Sequence, residues 1–327
     1  MFNFVTPTMK KFSLLFLILL FCCHTAAGQK IDNLVSFRDI RKKSYFRINY
    51  DNDYFSKSDD NYTQGIDLEL ALPIFEHNPF NFLLVQPRKQ EQKFGIAIES
   101  IAYTPNTISS PEIQFGDRPF SSVLLLKNFV ISENPEKNSR FISSISVGVI
   151  GPDAFGEEGQ VAIHKATGTW LPKGWKNQIK NDLVLNYDVV FEKQLLRSDL
   201  FRINSISNIK LGTLFTNIST GINAVFGIIN SPFSNPENPG KIQCYLFGEP
   251  LLKAVGYDAT LEGGLFNTTS PYTISAADVQ RFTFQYNYGV VIQLYGFYLE
   301  YGQSYITKEF KTGPAQNWGG VKLGVIL

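Results

Sequence analysis

The sequence predicts an all-β fold, a transmembrane antiparallel β-barrel of about 12 strands with a short helix in an extracellular loop. Three observations lead there. The chain opens on an export signal, and the segments after it alternate apolar and polar residues at period two. Aromatic residues are also abundant, with 28 Phe and 15 Tyr in 327 residues. No apolar run after the leader reaches the roughly 20 residues that a spanning helix needs.

Residues 1–28 read as that leader: Lys10 and Lys11, the apolar run Phe12 to Phe21, then Ala26-Ala27-Gly28 before Gln29. Its removal takes Cys22 and Cys23 and leaves Cys244 alone, so no internal disulfide is expected. The 30 lysines and arginines, less Lys10 and Lys11, leave 28 basic residues against 29 acidic ones. That near-neutral balance lacks the basic stripe of a nucleic-acid binder. Residues 29–43 form a polar lead-in, and from Ser44 to Leu327 the pattern is uniform enough for one sheet-built unit.

Taken in order, Tyr45 to Tyr50 places Phe46, Ile48 and Tyr50 on one face and Arg47 and Asn49 on the other. Gln64–Leu72 sets Ile66, Leu68, Leu70 and Leu72 against Gly65, Asp67 and Glu69. Further strands fit at about 93–104, 118–132, 138–151, 182–195, 200–215, 217–230, 241–258, 280–294, 296–310 and 316–327. The charged faces suit a polar lumen, and closure leaves no unpaired backbone edge in hydrocarbon. A secreted β-sandwich alternates in the same way but buries its apolar face inside. The last segment, Gly319–Leu327, runs to the terminus as an alternating strand.

Two long regions resist the strand reading. Residues 75–92 are a loop rich in Pro, Asn and Gln, and residues 152–181 hold a helix expected at about 153–168. Loops of that length are usually functional or disordered. Gln160 and His164 lie four apart and so share a helical face, with Glu157 three residues earlier on the same stripe. His164 is one of two histidines left after the leader, and His77, in the other loop, reads as a surface residue. Trp170 and Trp175 read as interfacial anchors, Asp117-Arg118 as a structural pair at a strand start, and Cys244 as a small buried or wall residue.

No nucleophile elbow, P-loop, C-x-x-C or H-E-x-x-H motif occurs. What stands instead are polar strand ends: Asp51-Asn52-Asp53, and Asp59-Asp60-Asn61-Tyr62-Thr63-Gln64-Gly65. Hard oxygen donors of this kind suit calcium, although Asp and Asn equally favour plain hairpin turns.

The blocks N-D-Y-F, D-N-Y-T-Q-G, Y-T-P, G-D-R-P-F and G-V-I-G-P-D-A-F-G-E-E-G-Q-V-A-I-H-K, followed by G-W-K-N-Q, occur in order over residues 45 to about 180. In that combination the chain resembles the outer-membrane lipid A 3'-O-deacylase family. The resemblance implies a twelve-stranded barrel with its site near the outer rim, between the wall and the loop helix. It also implies a calcium-dependent carboxylic ester hydrolase that removes the 3'-linked acyloxyacyl chain from lipid A. The family's site residues carry over onto Asn52, Asp53, Thr63, Gln160 and His164. The resemblance further implies that His164 would be the general base that activates water, that calcium would polarise the ester carbonyl, that Asp53 with Asn52 would hold the ion or orient the base, and that Gln160 and Thr63 would donate hydrogen bonds.

The chain departs from the family pattern in two places. The loop Asn106-Thr107-Ile108-Ser109-Ser110 lacks the expected lysine, and Trp170 stands where an acidic residue is expected six places after His164. The expected setting is therefore the outer membrane of a Gram-negative bacterium, as a monomer among membrane lipid, with lipopolysaccharide as substrate and no nucleic-acid partner. An inactive or lipid-binding barrel is the alternative, and a passive pore a weaker third.

Overall fold

The computed structural model describes residues 43–56, 62–88, 90–230 and 242–327. The leader, most of the lead-in and the Asp59-Asp60-Asn61 stretch lie outside the described residues. The strands are β1 (Tyr45–Asn52), β2 (Tyr62–Ala71), β3 (Glu91–Tyr103), β4 (Ser121–Asn134), β5 (Ser139–Ile150) and β6 (Asp182–Arg197). They continue as β7 (Phe201–Gly212), β8 (Phe215–Ile228), β9 (Ile242–Asp258), β10 (Phe282–Leu294), β11 (Phe297–Ile306) and β12 (Gln316–Ile326). Each pairs antiparallel with its neighbour, and β12 closes on β1 from Tyr45↔Ile326 to Asn52↔Gly319. All twelve expected strands are present.

Period-two alternation decides the two faces. In β1 and β2 the side chains of Arg47, Asn49, Asp51, Asp67 and Glu69 are buried, whereas Ile48 and Leu68 are exposed. Along β6 and β9 the exposed residues include Leu183, Leu185, Leu246 and Leu252. An outer surface so apolar is what hydrocarbon requires.

The lumen is cross-braced by charge. Arg47 pairs with Glu69 at 2.7 Å, and the Tyr45 hydroxyl donates to the same carboxylate. Lys322 pairs with Glu300 at 3.0 Å, and Lys127 with Glu99 at 2.9 Å. Arg140 lies between two acids, with Nε 3.2 Å from Glu133 and Nη1 3.0 Å from Glu192. The Glu249 carboxylate accepts from Asn223 at 2.8 Å and Asn287 at 3.1 Å. Apolar packing fills the remainder: the Phe129 ring lies over Gly95, where a Cβ would sit 2.2 Å from Cζ. With the interior bridged in this way, a passive pore finds little support.

The outer mouth is closed by loops. Arg118, which leaves the wall ahead of β4, donates to the Glu309 carboxylate and to Thr260 Oγ1 at 2.6 Å, and its guanidinium lies 4.0 Å over the Tyr103 ring. Thr260 belongs to α2 (Ala259–Glu262), and Glu309 to the β11–β12 loop. This corrects two expectations. The fourth strand starts at Ser121 and not at 118, because Pro119 has no N–H to give the ladder and Arg118 turns inward. Arg118 also finds its partners across the mouth, while the Asp117 carboxylate accepts from the backbone N–H groups of Asn106 and Arg118.

Two outcomes follow for stability. Arg140→Ala leaves two buried carboxylates without their shared cation and is expected to cost about 3–5 kcal/mol, read as a lowered urea midpoint. Burial pushes the Glu309 carboxyl up to about 7, with Arg118 and Lys253 only partly opposing it and Asp258 adding to the rise. The fold therefore favours the protonated acid. The stability from this group is full below about 4.5 and is lost as pH rises through about 7. Glu309→Gln is expected to flatten that slope, by up to about 3 kcal/mol, in thermal unfolding compared at pH 4.5 and pH 8.

Candidate active site on the outer wall

The chain leaves β5 through Gly151, whose φ of 112° only glycine adopts readily. A 3-10 turn, Pro152–Ala154, follows, and then α1 (Gly156–Thr167). Phe155 joins the two at φ 60°, a left-handed conformation that is unfavourable for a bulky side chain. Glu157 and Glu158 in the first turn and His164 and Lys165 in the last complement the helix dipole. Gly168, at φ 70°, ends the helix by returning its N–H to the His164 carbonyl.

The helix lies against the outside of the barrel. Gln64 pairs across to Ala102 and Ala102 to Ser122, so these three outward-facing residues form one row across β2, β3 and β4. A Cβ on Gly156 would sit 2.3 Å from the Ser122 Cβ, and one on Gly159 would sit 3.2 Å from Gln64 Nε2. Two glycines three apart on a helix, facing Ala and Ser on the wall, allow this closeness. Ala102, Ile108, Phe120 and Trp175 make the apolar seal beneath, with the Phe120 and Trp175 rings 5.0 Å apart.

Trp175 is therefore buried and not the interfacial anchor expected. Its indole has a task inside, because Nε1 donates to Gln160 Oε1 at 2.7 Å. Trp170 behaves as expected, 84% exposed.

Each proposed site residue now has a place. Gln160 is buried under α1, and its carbonyl end is occupied by Trp175, which leaves Nε2 as the donor end. His164, one turn further on, is half-buried, with Nδ1 2.6 Å from the Trp170 carbonyl oxygen. A carbonyl can only accept, so Nδ1 carries the proton and Nε2 of the neutral ring keeps its lone pair. The indole at position 170 has no acceptor for this bond, and the main-chain oxygen of the same residue takes it instead. Thr63 lies in β2 beside Gln64. Asn52 ends β1 on the outer face, where its Nδ2 donates to the Tyr50 hydroxyl at 3.3 Å. Asp53 is buried and opens the 3-10 turn Asp53–Ser56, whose Phe55 lies over Tyr50 and Tyr301.

Register joins these pieces. Asp51 stands opposite Gly65, so the next pair outward is Asn52 beside Gln64 on the lipid side of the wall. The first turn of α1 is thus fixed against Ser122 on β4 and Gln64 on β2. Gln64 had no role in the sequence reading, yet it is 5% exposed and its Oε1 has no hydrogen-bond partner. Only the tertiary closure of α1 reveals that.

Among the described residues no three of His, Cys, Asp and Glu stand together as a metal site. The polar side chains at this edge, the Asn52 and Gln64 amides and the Asp53 carboxylate, offer oxygen donors. They fit a hard cation such as calcium better than a transition metal.

Comparison with known proteins agrees with this architecture. The structure resembles LpxR from Salmonella typhimurium with a TM-score of 0.69 at 20% identity, covering 87% of this chain and 100% of that one. It is also similar to the β-domain of the Bordetella autotransporter BrkA, with a TM-score of 0.46 at 8% identity over 87% of this chain and 99% of that one. No curated protein matches in sequence. A family model described as outer membrane protein LpxR matches residues 14–327. The chain is a member of that family, an outer-membrane β-barrel of the Gram-negative envelope.

Proposed function

We propose that this barrel is a lipid A 3'-O-deacylase, a carboxylic ester hydrolase whose site is the crevice between α1 and the outer wall. The observation that carries the reading is the His164–Trp170 hydrogen bond on a helix sealed to the wall. It fixes the tautomer that a general base needs, at a place a membrane lipid reaches sideways.

In the reaction, water gives a proton to His164 Nε2 and its oxygen attacks the ester carbonyl. The tetrahedral intermediate then expels the sugar 3'-oxygen, which takes the proton back from the imidazolium. The products are a free 3'-hydroxyl and the acyloxyacyl acid, with no covalent enzyme intermediate. Gln160 Nε2 donates toward the substrate or the water, and Thr63 is a second donor. Asn52 and Asp53, with the Gln64 oxygen beside them, would hold calcium, which when bound polarises the ester carbonyl and favours the developing negative charge.

A second reading, a barrel that keeps the fold without the chemistry, rests on the loop Asn106–Ser110, which has no lysine, and on the indole at position 170. Mass spectrometry of lipid A from cells making the protein separates the two. Loss of the 3' acyloxyacyl mass is expected with wild type. It is expected to fall by a factor of about 10²–10⁴ with His164→Ala and to stop when calcium is chelated. Unchanged lipid A from correctly inserted wild type would leave only the inactive barrel.

Trp175→Phe probes the Gln160 donor. It keeps the apolar seal but leaves Gln160 Oε1 unpartnered, a loss of about 1–3 kcal/mol. Freed to turn its oxygen toward the crevice, Gln160 is expected to lower kcat/KM in the same assay while the barrel stays folded on a heat-shift gel.

A further inference from the structure

At the end of the barrel opposite α1, most described connections are short, as at 135–138, 198–200 and 295–296. The β2–β3 connection is not. It makes two 3-10 turns, Pro73–His77 and Pro79–Leu83, and lies flat against the outside of the wall. Leu84 and Phe75 pack on Phe94, Val130 and Ile145. These three wall residues face the same way as Ile98, Leu126 and Val147, which are exposed further along the same strands.

Polar groups stand on this lipid-facing wall where apolar ones are the rule, and the connection uses each of them. Asn78 Nδ2 donates to Asn128 Oδ1 at 3.0 Å, and Asn128 Nδ2 donates to Asn81 Oδ1 at 3.1 Å. Ser143 Oγ donates to the Val85 carbonyl at 2.9 Å, and the Val85 N–H donates to the Tyr187 hydroxyl at 2.8 Å. Within the segment, Asn81 Nδ2 donates to the carbonyls of Phe75 at 2.8 Å and Glu76 at 3.1 Å, and Gln86 Nε2 donates to the Asn81 carbonyl at 2.7 Å. Irregular backbone is tolerated at membrane depth only when the protein satisfies it in this way.

The opposite surface of the segment is apolar: Ile74, Phe80, Phe82, Leu83 and Val85 are exposed, Phe82 by 80%. Residues 78–86 carry no charge, while Glu76 and His77 on one side and Arg88 on the other are exposed and polar. We propose that residues 78–86 are an intramembrane strap that contacts phospholipid acyl chains of the inner leaflet, with Glu76, His77 and Arg88 at headgroup level. A water-facing loop would need neither the polar wall residues nor four exposed apolar side chains within the nine residues 78–86.

Spin labels test this. Single cysteines at Phe82, Phe80, Leu126 and Glu76 are introduced in a background with Cys22, Cys23 and Cys244 changed to alanine. The full barrel is then reconstituted in phosphatidylethanolamine/phosphatidylglycerol vesicles. Power saturation with oxygen and with a water-soluble nickel complex is expected to read Phe82→Cys and Phe80→Cys as oxygen-favoured, like Leu126→Cys on the bare wall, and Glu76→Cys as nickel-favoured. Nickel-favoured readings at both phenylalanine positions would overturn the proposal. So would labels shielded from both reagents, which would place a second protein on the strap. Both positions are exposed, so neither substitution removes a packing contact on which folding depends.

Discussion

Hydrocarbon offers a peptide group nothing to bond with, and the whole molecule is arranged around that constraint. It requires the sheet to close, as β12 does on β1. It also sends Arg47, Glu69, Glu133, Arg140 and Glu192 inward, where they pair across the lumen with one another and with the polar groups beside them. An interior of this kind combines apolar clusters, such as that around Phe129 and Ile131, with networks of paired charge. Other apolar side chains are spent on the outside, where they meet lipid.

The same constraint explains why two of the irregular segments that leave the barrel return to its outer surface under seal. The helix α1 is pressed to the wall through Gly156 and Gly159; its Gln160 is matched by Trp175, and Ser122 of the wall beneath it by the Gly151 carbonyl and Gln178. Residues 73–88, at the other end, are matched by Asn128, Ser143 and Tyr187. Polar side chains held against the wall of a lipid-bathed barrel can be approached by a substrate that never leaves the membrane, and the proposed deacylase reading uses that access.

Much of this was legible in the sequence because alternation is local. Arg47 opposite Ile48, and Asp67 opposite Leu68, state the inside and outside of a strand without reference to any partner. The helix was legible for the same reason, from Gln160 and His164 at helical spacing. Tertiary closure was not legible. Trp175 looks like a girdle residue until the Gln160 amide is found beneath it, and Asp117-Arg118 looks like a pair until Glu309 appears 191 residues away in the chain. Gln64 lay inside a quoted motif without a role, since only the approach of Gly159 buries it. The turns in 73–83 were hidden because their stabilising partners, Asn128, Ser143 and Tyr187, are spread over three later strands.

The oxygen that orients His164 belongs to the main chain of Trp170 and not to a side chain. Any residue that preserves the bend after Gly168 presents that same oxygen. Evolution is therefore at liberty to change the substituent at 170 without disturbing the ring, and here it has placed a large indole in the open. The polypeptide itself thus holds the ring, and the side chain at 170 is left facing outward, toward the envelope.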